Sequence, residues 1–265
     1  MNRTVVALAC LAMAAASSVA WADTRAYGVP FVPRASNTAQ QGFVRLVNLS
    51  ESAGDVRITA IDDAGRRFPE IRIALGALAT VHFNSEDLEH GNERKGLSRG
   101  VGAGTGDWRL EVEADFAFEA LAYIRTSDGF VTSAFETADW WDVGMYWVPF
   151  FNPGSNRAQV SQLRLVNPTG QHAHVEVVAF DDRGEIAPGG NVELTLDPRA
   201  SRTITAGELE DGAHGLTGRL GDGAGKWRLW VVSDRRLHVL SLLESPTGNL
   251  TNLSTASAWG RRDIP

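Results

Sequence analysis

Glycine triplets, paired aspartates and a histidine pair are the patterns in this chain whose residue types and spacing could do chemistry. Gly102, Gly104 and Gly106, matched by Gly221, Gly223 and Gly225, have the density of a phosphate cradle. A dinucleotide loop also needs a preceding strand and a helix after it whose N-terminus receives the phosphate. These glycines lead instead into Trp108-Arg109-Leu110 and Trp227-Arg228-Leu229, both reading as strands, so they predict flexible loops. Asp62-Asp63 and Asp181-Asp182 could ligate calcium or share a proton. Adjacent residues at a strand end diverge in direction, and the further oxygen ligands of a calcium loop are missing. Gly65 and Gly184 stand two residues after the pairs, which predicts hairpin turns. His172 and His174 share one strand face, but no third ligand is near, and the first half has Ala53 and Asp55 at those positions.

Nucleophilic chemistry has even less support. No Gly-x-Ser-x-Gly elbow is present, and the single cysteine, Cys10, lies in the N-terminal apolar segment. Carboxylates for glycoside hydrolysis meet only in space, so an enzyme stays open as a third reading. His82, His90, His214 and His238 are scattered, and the Asn-x-Ser/Thr triplets at Asn48, Asn249 and Asn252 read as ordinary strand-end residues. No cofactor and no metal are predicted.

Aromatic residues form the sharpest feature. Trp140, Trp141, Tyr146 and Trp147 fall where a linker would ordinarily be polar. Trp230 and Val232 stand where the first half has Glu111 and Glu113, so one strand face is charged in one half and apolar in the other. These rings suit an interdomain contact, which is the favoured reading because large exposed apolar patches are uncommon on monomers. The alternative is a ligand surface that stacks on sugars or anchors a protein.

The elements that must position these residues come as two copies of one pattern. Tyr27-Gly-Val-Pro-Phe31 and Arg45-Leu-Val-Asn48 recur as Tyr146-Trp-Val-Pro-Phe150 and Arg164-Leu-Val-Asn167, at an offset of 119. The aspartate turns and glycine loops share that offset. In each copy Val56 to Ile61 and Val175 to Phe180 alternate with period two. Strands are expected near 43–48, 55–61, 70–75, 78–83, 107–113, 117–125 and 130–135, and the run Ala117 to Ile124, apolar on both faces, predicts a central strand. Asn84 and Thr205, each three residues before a carboxylate, predict a short capped helix. The fold expected is all-β: two tandem antiparallel β-sandwich modules of immunoglobulin-like size, related by internal duplication.

Composition agrees with a soluble, ordered protein. The chain has 265 residues, 43% hydrophobic and 22% charged, with a net charge of -7. That charge would repel a phosphate backbone, so no nucleic-acid partner is expected. Arg3, the apolar stretch Val5 to Val19 and Ala20-Trp21-Ala22 read as a secretory signal cleaved after Ala22. A lipoprotein reading fails because too few apolar residues precede Cys10. After cleavage the protein is not expected to be an integral membrane protein, and its location is periplasmic or extracellular. It would then hold no cysteine and depend on core burial alone.

The strings His82-Phe-Asn-Ser-Glu-Asp-Leu-Glu89, Leu121-Ala-Tyr-Ile-Arg-Thr-Ser-Asp-Gly-Phe-Val-Thr132 and Leu242 to Ser254 resemble a repeat module of secreted proteins of Gram-negative bacteria. The resemblance covers Tyr27 to about Thr255. It implies export and an accessory or interaction role, and it transfers no active site. The expected organisation is a signal peptide (1–22), module 1 (23–137), an aromatic connector (138–147), module 2 (148–255) and a C-terminal tail (256–265). The expected function is an exported, non-enzymatic interaction or structural protein with a protein or cell-surface glycan partner; a carbohydrate-binding protein using the connector is the alternative.

Overall fold

A computed structural model describes residues 25–254 apart from 136, 139 and 143. The expected signal segment, its expected cleavage site and the expected C-terminal tail lie outside the described residues. Among those described, the first half holds β1 (Arg25–Val32), β2 (Gln40–Asn48), β3 (Gly54–Asp62), β4 (Ile71–Leu75), β5 (Thr80–Asn84), α1 (Ser85–His90), β6 (Trp108–Ala114), β7 (Phe118–Thr126) and β8 (Val131–Ser133). The second half holds β9 (Trp140–Asp142), β10 (Met145–Phe151), β11 (Val160–Val166), β12 (Ala173–Phe180), β13 (Val192–Leu196), β14 (Ser201–Thr205), α2 (Ala206–Asp211), β15 (Trp227–Ser233), β16 (His238–Glu244) and β17 (Leu250–Asn252).

These strands form four antiparallel sheets. The first half has the orders β1-β6-β3-β4 and β5-β2-β7-β8; the second has β9-β10-β15-β12-β13 and β14-β11-β16-β17. Apart from β9, the strand order of one half repeats in the other. Period-two alternation sends Ile58 and Leu110 from one sheet and Val44, Leu46 and Ile124 from the facing sheet into the first core. Val177, Leu229, Leu163, Leu165 and Val239 do the same in the second. The fold is therefore all-β, built as packed antiparallel sheets.

One strand in the first half goes beyond the sequence expectation. β1 contains Gly28 and Pro30, which break the alternating pattern, and it lies at a sheet edge where a residue without an N–H is tolerated. The two short helices start as expected: Asn84 and Thr205 each cap the N3 amide, and Asp87 and Glu208 each return a bond to the cap's own amide.

Candidate functional site: one sheet face, covered in one half and open in the other

The aspartate pairs and glycine loops form one structural device. Asp62 Oδ1 accepts from the Arg66 amide at 2.9 Å and Oδ2 from the Thr105 amide at 3.0 Å, while Asp63 Oδ2 accepts from the Asp107 amide at 2.8 Å. Asp181 and Asp182 bind the Ala224 and Lys226 amides in the same way, at 3.0 and 2.9 Å. Each pair therefore closes its hairpin, with Gly65 at φ +81° and Gly184 at φ +82°, and also holds the glycine loop against it. His172 lies 3.2 Å from Asp197, and His174 lies 3.2 Å from Thr195 Oγ1. Among the described residues no three metal-ligating side chains gather.

Two buried carboxylates escaped the sequence reading. Glu89 Oε1 accepts from the Trp108 indole at 2.8 Å and from the Ala35 amide at 2.7 Å. Glu210 accepts from the Trp227 indole at 2.7 Å and from the Gly154 amide at 2.9 Å. A buried indole N–H needs an acceptor, so these glutamates anchor the large core rings. Their spacing from the tryptophans differs between halves, which hid the pairing from a fixed-offset comparison.

The aromatic connector divides. Tyr146 is buried in the second core, and its oxygen accepts from the Leu237 amide at 2.6 Å. Burial pushes its phenol up. Trp147 and Trp230 meet at 6.1 Å between ring centroids, and Trp230 stands edge-on to Phe180 at 4.8 Å. That cluster lies on the outer face of the β10-β15-β12 sheet, where Trp230 is 38% exposed. Trp140 and Trp141 belong to β9, whose backbone pairs with β10 and places Trp140 opposite Tyr146.

The contact between the halves uses a different surface, which the sequence did not single out. Side chains of β11 and β16 alternate so that Leu163, Leu165 and Val239 enter the second core while Arg164, Val166, Leu240 and Leu242 face away. Yet Val166, Leu240 and Leu242 are buried too, because they join the hydrophobic cluster of the first half together with Leu250. Arg164 stands at the centre and is fully buried. Its Nη2 donates to Asp63 Oδ1 at 2.7 Å, Nη1 donates to Thr203 Oγ1 at 3.1 Å, and its guanidinium lies 4.5 Å from the Phe31 ring centroid. The Ser201 amide donates to the Asp63 carbonyl at 3.0 Å. At the margin Gln40 Nε2 donates to Glu244 at 3.0 Å, and the Asn252 amide donates to Thr132 Oγ1 at 2.9 Å.

Electrostatics mark the same contact. Asp107, whose carboxylate accepts from the Arg34 amide, is pushed up by burial, against the downward pull of Arg164. Burial, followed by the charges of Arg236 and Arg109, lowers His238 to about 4. Gly65 approaches so closely that a methyl group there would lie 2.3 Å from the Pro198 carbonyl. At the matched Gly184 the nearest atom would be an arginine side chain at 3.6 Å.

The matched face of the first half is open. Arg45 sits opposite His82 and Leu121, as Arg164 sits opposite Thr203 and Leu240. Arg45 is exposed, and Leu121 is 43% exposed where Leu240 is fully buried. Around them Phe43 and Tyr123 stack at 5.1 Å and 9°, and Tyr123 Oη lies 2.9 Å from His82 Nε2. Arg125 lies 4.8 Å over the Phe43 ring. Partial burial, followed by Lys95 and Arg45, lowers the His82 pKa, so its ring favours the neutral form.

Comparison with known proteins adds little to this geometry. No protein-family description and no curated protein matches the chain. Among solved structures it is similar to a Bacteroides uniformis β-glucuronidase, at 12% identity over 86% of this chain and 25% of that one, with a TM-score of 0.16. It is also similar to Bacteroides uniformis β-glucuronidase 2 covalently bound to cyclophellitol-6-carboxylate aziridine (11% identity, 86% of this chain and 25% of that one, TM-score 0.16). A β-glucuronidase from glycoside hydrolase family 2 matches at 9% identity, 86% of this chain and 23% of that one, with the same TM-score of 0.16. The chain spans about a quarter of the length of these enzymes. A likeness this shallow transfers no activity.

Proposed function

We propose that this is an exported, non-enzymatic interaction protein, periplasmic or extracellular, whose first half offers an open sheet face to a protein partner. One observation carries the reading: Arg45, Leu121 and Tyr123 match in position Arg164, Leu240 and Leu242 of the second half, which are buried against the first half. A sheet surface holding Leu121, Phe43 and Tyr123 together with charged Arg45 and Arg125 has the make-up of a protein interface, in which aromatic and arginine residues are enriched. The aspartate pairs that suggested acid–base chemistry already accept bonds from turn and loop amides, and the buried Glu89 and Glu210 are held by core indoles.

The test is co-purification from the native host with tagged wild-type protein and a Leu121→Asp variant. The reading expects a partner that wild type captures and the variant loses. Identical captured sets would contradict it. The carbohydrate-binding alternative draws support from the Trp147, Trp230 and Phe180 cluster, with its partly exposed indole on a sheet face. A glycan array separates the two, because sugar binding abolished by Trp230→Ala and indifferent to Leu121→Asp would favour the alternative.

A further inference from the structure

The contact inside the chain has two sides, and each side has an uncovered counterpart. On one side the second half contributes Arg164, Leu240 and Leu242; their counterparts in the first half are Arg45, Leu121 and Tyr123, which are open. On the other side the first half contributes Phe31 and Asp63, and at the same offset the second half carries Phe150 and Asp182. Phe31 is buried and Asp63 partly so, whereas Phe150 is only partly covered and Asp182 is exposed. The turn holding Asp182 has the construction of the turn holding Asp63, down to the amide bound by each second carboxylate.

We infer that a second copy of this chain docks on the open face, repeating the internal contact between molecules: Arg45 of one copy pairs with Asp182 of the next and lies over its Phe150. The inference rests on the interaction-protein reading and names its partner. Three properties of the surfaces support it. The charges are complementary, an open arginine against an open aspartate. Apolar groups that the internal contact buries have uncovered counterparts at both open ends: Leu121, matching buried Leu240, is 43% exposed, and Phe150, matching buried Phe31, is only partly covered. Finally, the geometry that would join two copies already exists between the halves. The two surfaces differ, so the contact is heterologous, and each docked copy presents a fresh open end. Assembly then continues into a filament or closes into a ring.

One substitution weakens this external contact relative to the internal one. Lys226 stands where the first half has Asp107, and its ammonium lies 4.9 Å over the Phe150 ring, in the position that the incoming guanidinium would take. The association between copies is therefore reversible and dependent on concentration, while the internal contact is permanent.

Sedimentation velocity of the purified chain lacking its signal segment, from about 1 to 300 μM, tests the inference. Wild type should sediment faster with rising concentration, and Lys226→Asp should shift the midpoint at least tenfold lower. Arg45→Asp and Asp182→Arg should each stay monomeric when alone. An equimolar mixture of the two should assemble, because each variant keeps one intact surface for the other. Circular dichroism confirms that the variants are folded, and both sites are exposed. A wild type that is monomeric throughout, or assembly that ignores both charge reversals, would overturn the inference. A monomer that still captures a host partner through Leu121 sinks self-association alone; a monomer that captures nothing sinks the wider reading as well.

Discussion

Arg45 and Arg164 occupy the same place in two sheets of the same strand order, yet one is exposed and the other has no solvent contact. The difference lies in the neighbours. Around Arg164 the outward positions are Val166, Leu240 and Leu242, covered by the first half, with Asp63 and the Phe31 ring to receive the guanidinium. Around Arg45 the outward positions are His82, Leu121 and Tyr123, which stay partly or largely exposed in the single chain. A sheet face acquires its role from what covers it, and one side-chain pattern serves as internal glue in one half and as an offered surface in the other.

Substitution at the two arginines should give the largest contrast. Removing one partner of a buried ion pair strands the other, so Arg164→Ala should destabilise the protein by about 3–5 kcal/mol. Arg45→Ala, at an exposed position, should stay within about 0.5 kcal/mol. Urea unfolding of both variants checks this; similar losses would mean that the two faces are equally covered.

The leucines extend the comparison without charge. Leu240→Ala removes a fully buried side chain and should cost about 2–5 kcal/mol, against less than about 1 kcal/mol for Leu121→Ala. Thermal unfolding monitored by circular dichroism would show the first variant melting well below the second.

Acid should weaken the covered face. His238 titrates near 4 in the folded protein and near 6.5 when unfolded. Its folded value is depressed, so as pH falls below 6.5 the unfolded chain takes up a proton that the native protein refuses. Stability is lost between about 6.5 and 4 and levels off below that. The loss is at most about 3 kcal/mol, and partial solvation reduces it. His238→Phe should flatten this part of the stability profile; an unchanged slope in the variant would contradict the assignment.

The smallest contrast concerns the turn glycines. Alanine at Gly184 costs the strain of a positive φ, about 1–2 kcal/mol. Alanine at Gly65 carries the same strain and also collides with the Pro198 carbonyl, so it should lose about 1–2 kcal/mol more. Equal losses, measured by chemical denaturation, would place the Gly65 turn away from the second half.

The strings recurring in the two halves, the aspartate turns and the capped helices were legible in the sequence because each has a local signature: a fixed offset, a glycine two residues on, a carboxylate three residues on. β1 was harder to see, since Gly28 and Pro30 interrupt its alternation and only its edge position explains them. The contact between the halves left no local sign. Arg45 and Arg164 sit in identical Arg-Leu-Val-Asn strings, and only tertiary packing separates their fates. The clearest aromatic signal directed attention to Trp147 and Trp230, which face outward, while Tyr146 was absorbed into a core. Composition reveals how apolar a surface is, but its covering comes from residues remote in the chain, as Asp63 covers Arg164.

The comparison is tested most directly by hydroxyl-radical footprinting of the dilute protein, where copies do not associate. Leu121 and Tyr123 should be oxidised in the native state, while Leu240 and Leu242, at the matched positions, should stay protected until the protein unfolds. Oxidation of Leu240 and Leu242 at rates comparable to Leu121 in the folded protein would contradict the account, because it would leave both faces open and the halves undocked.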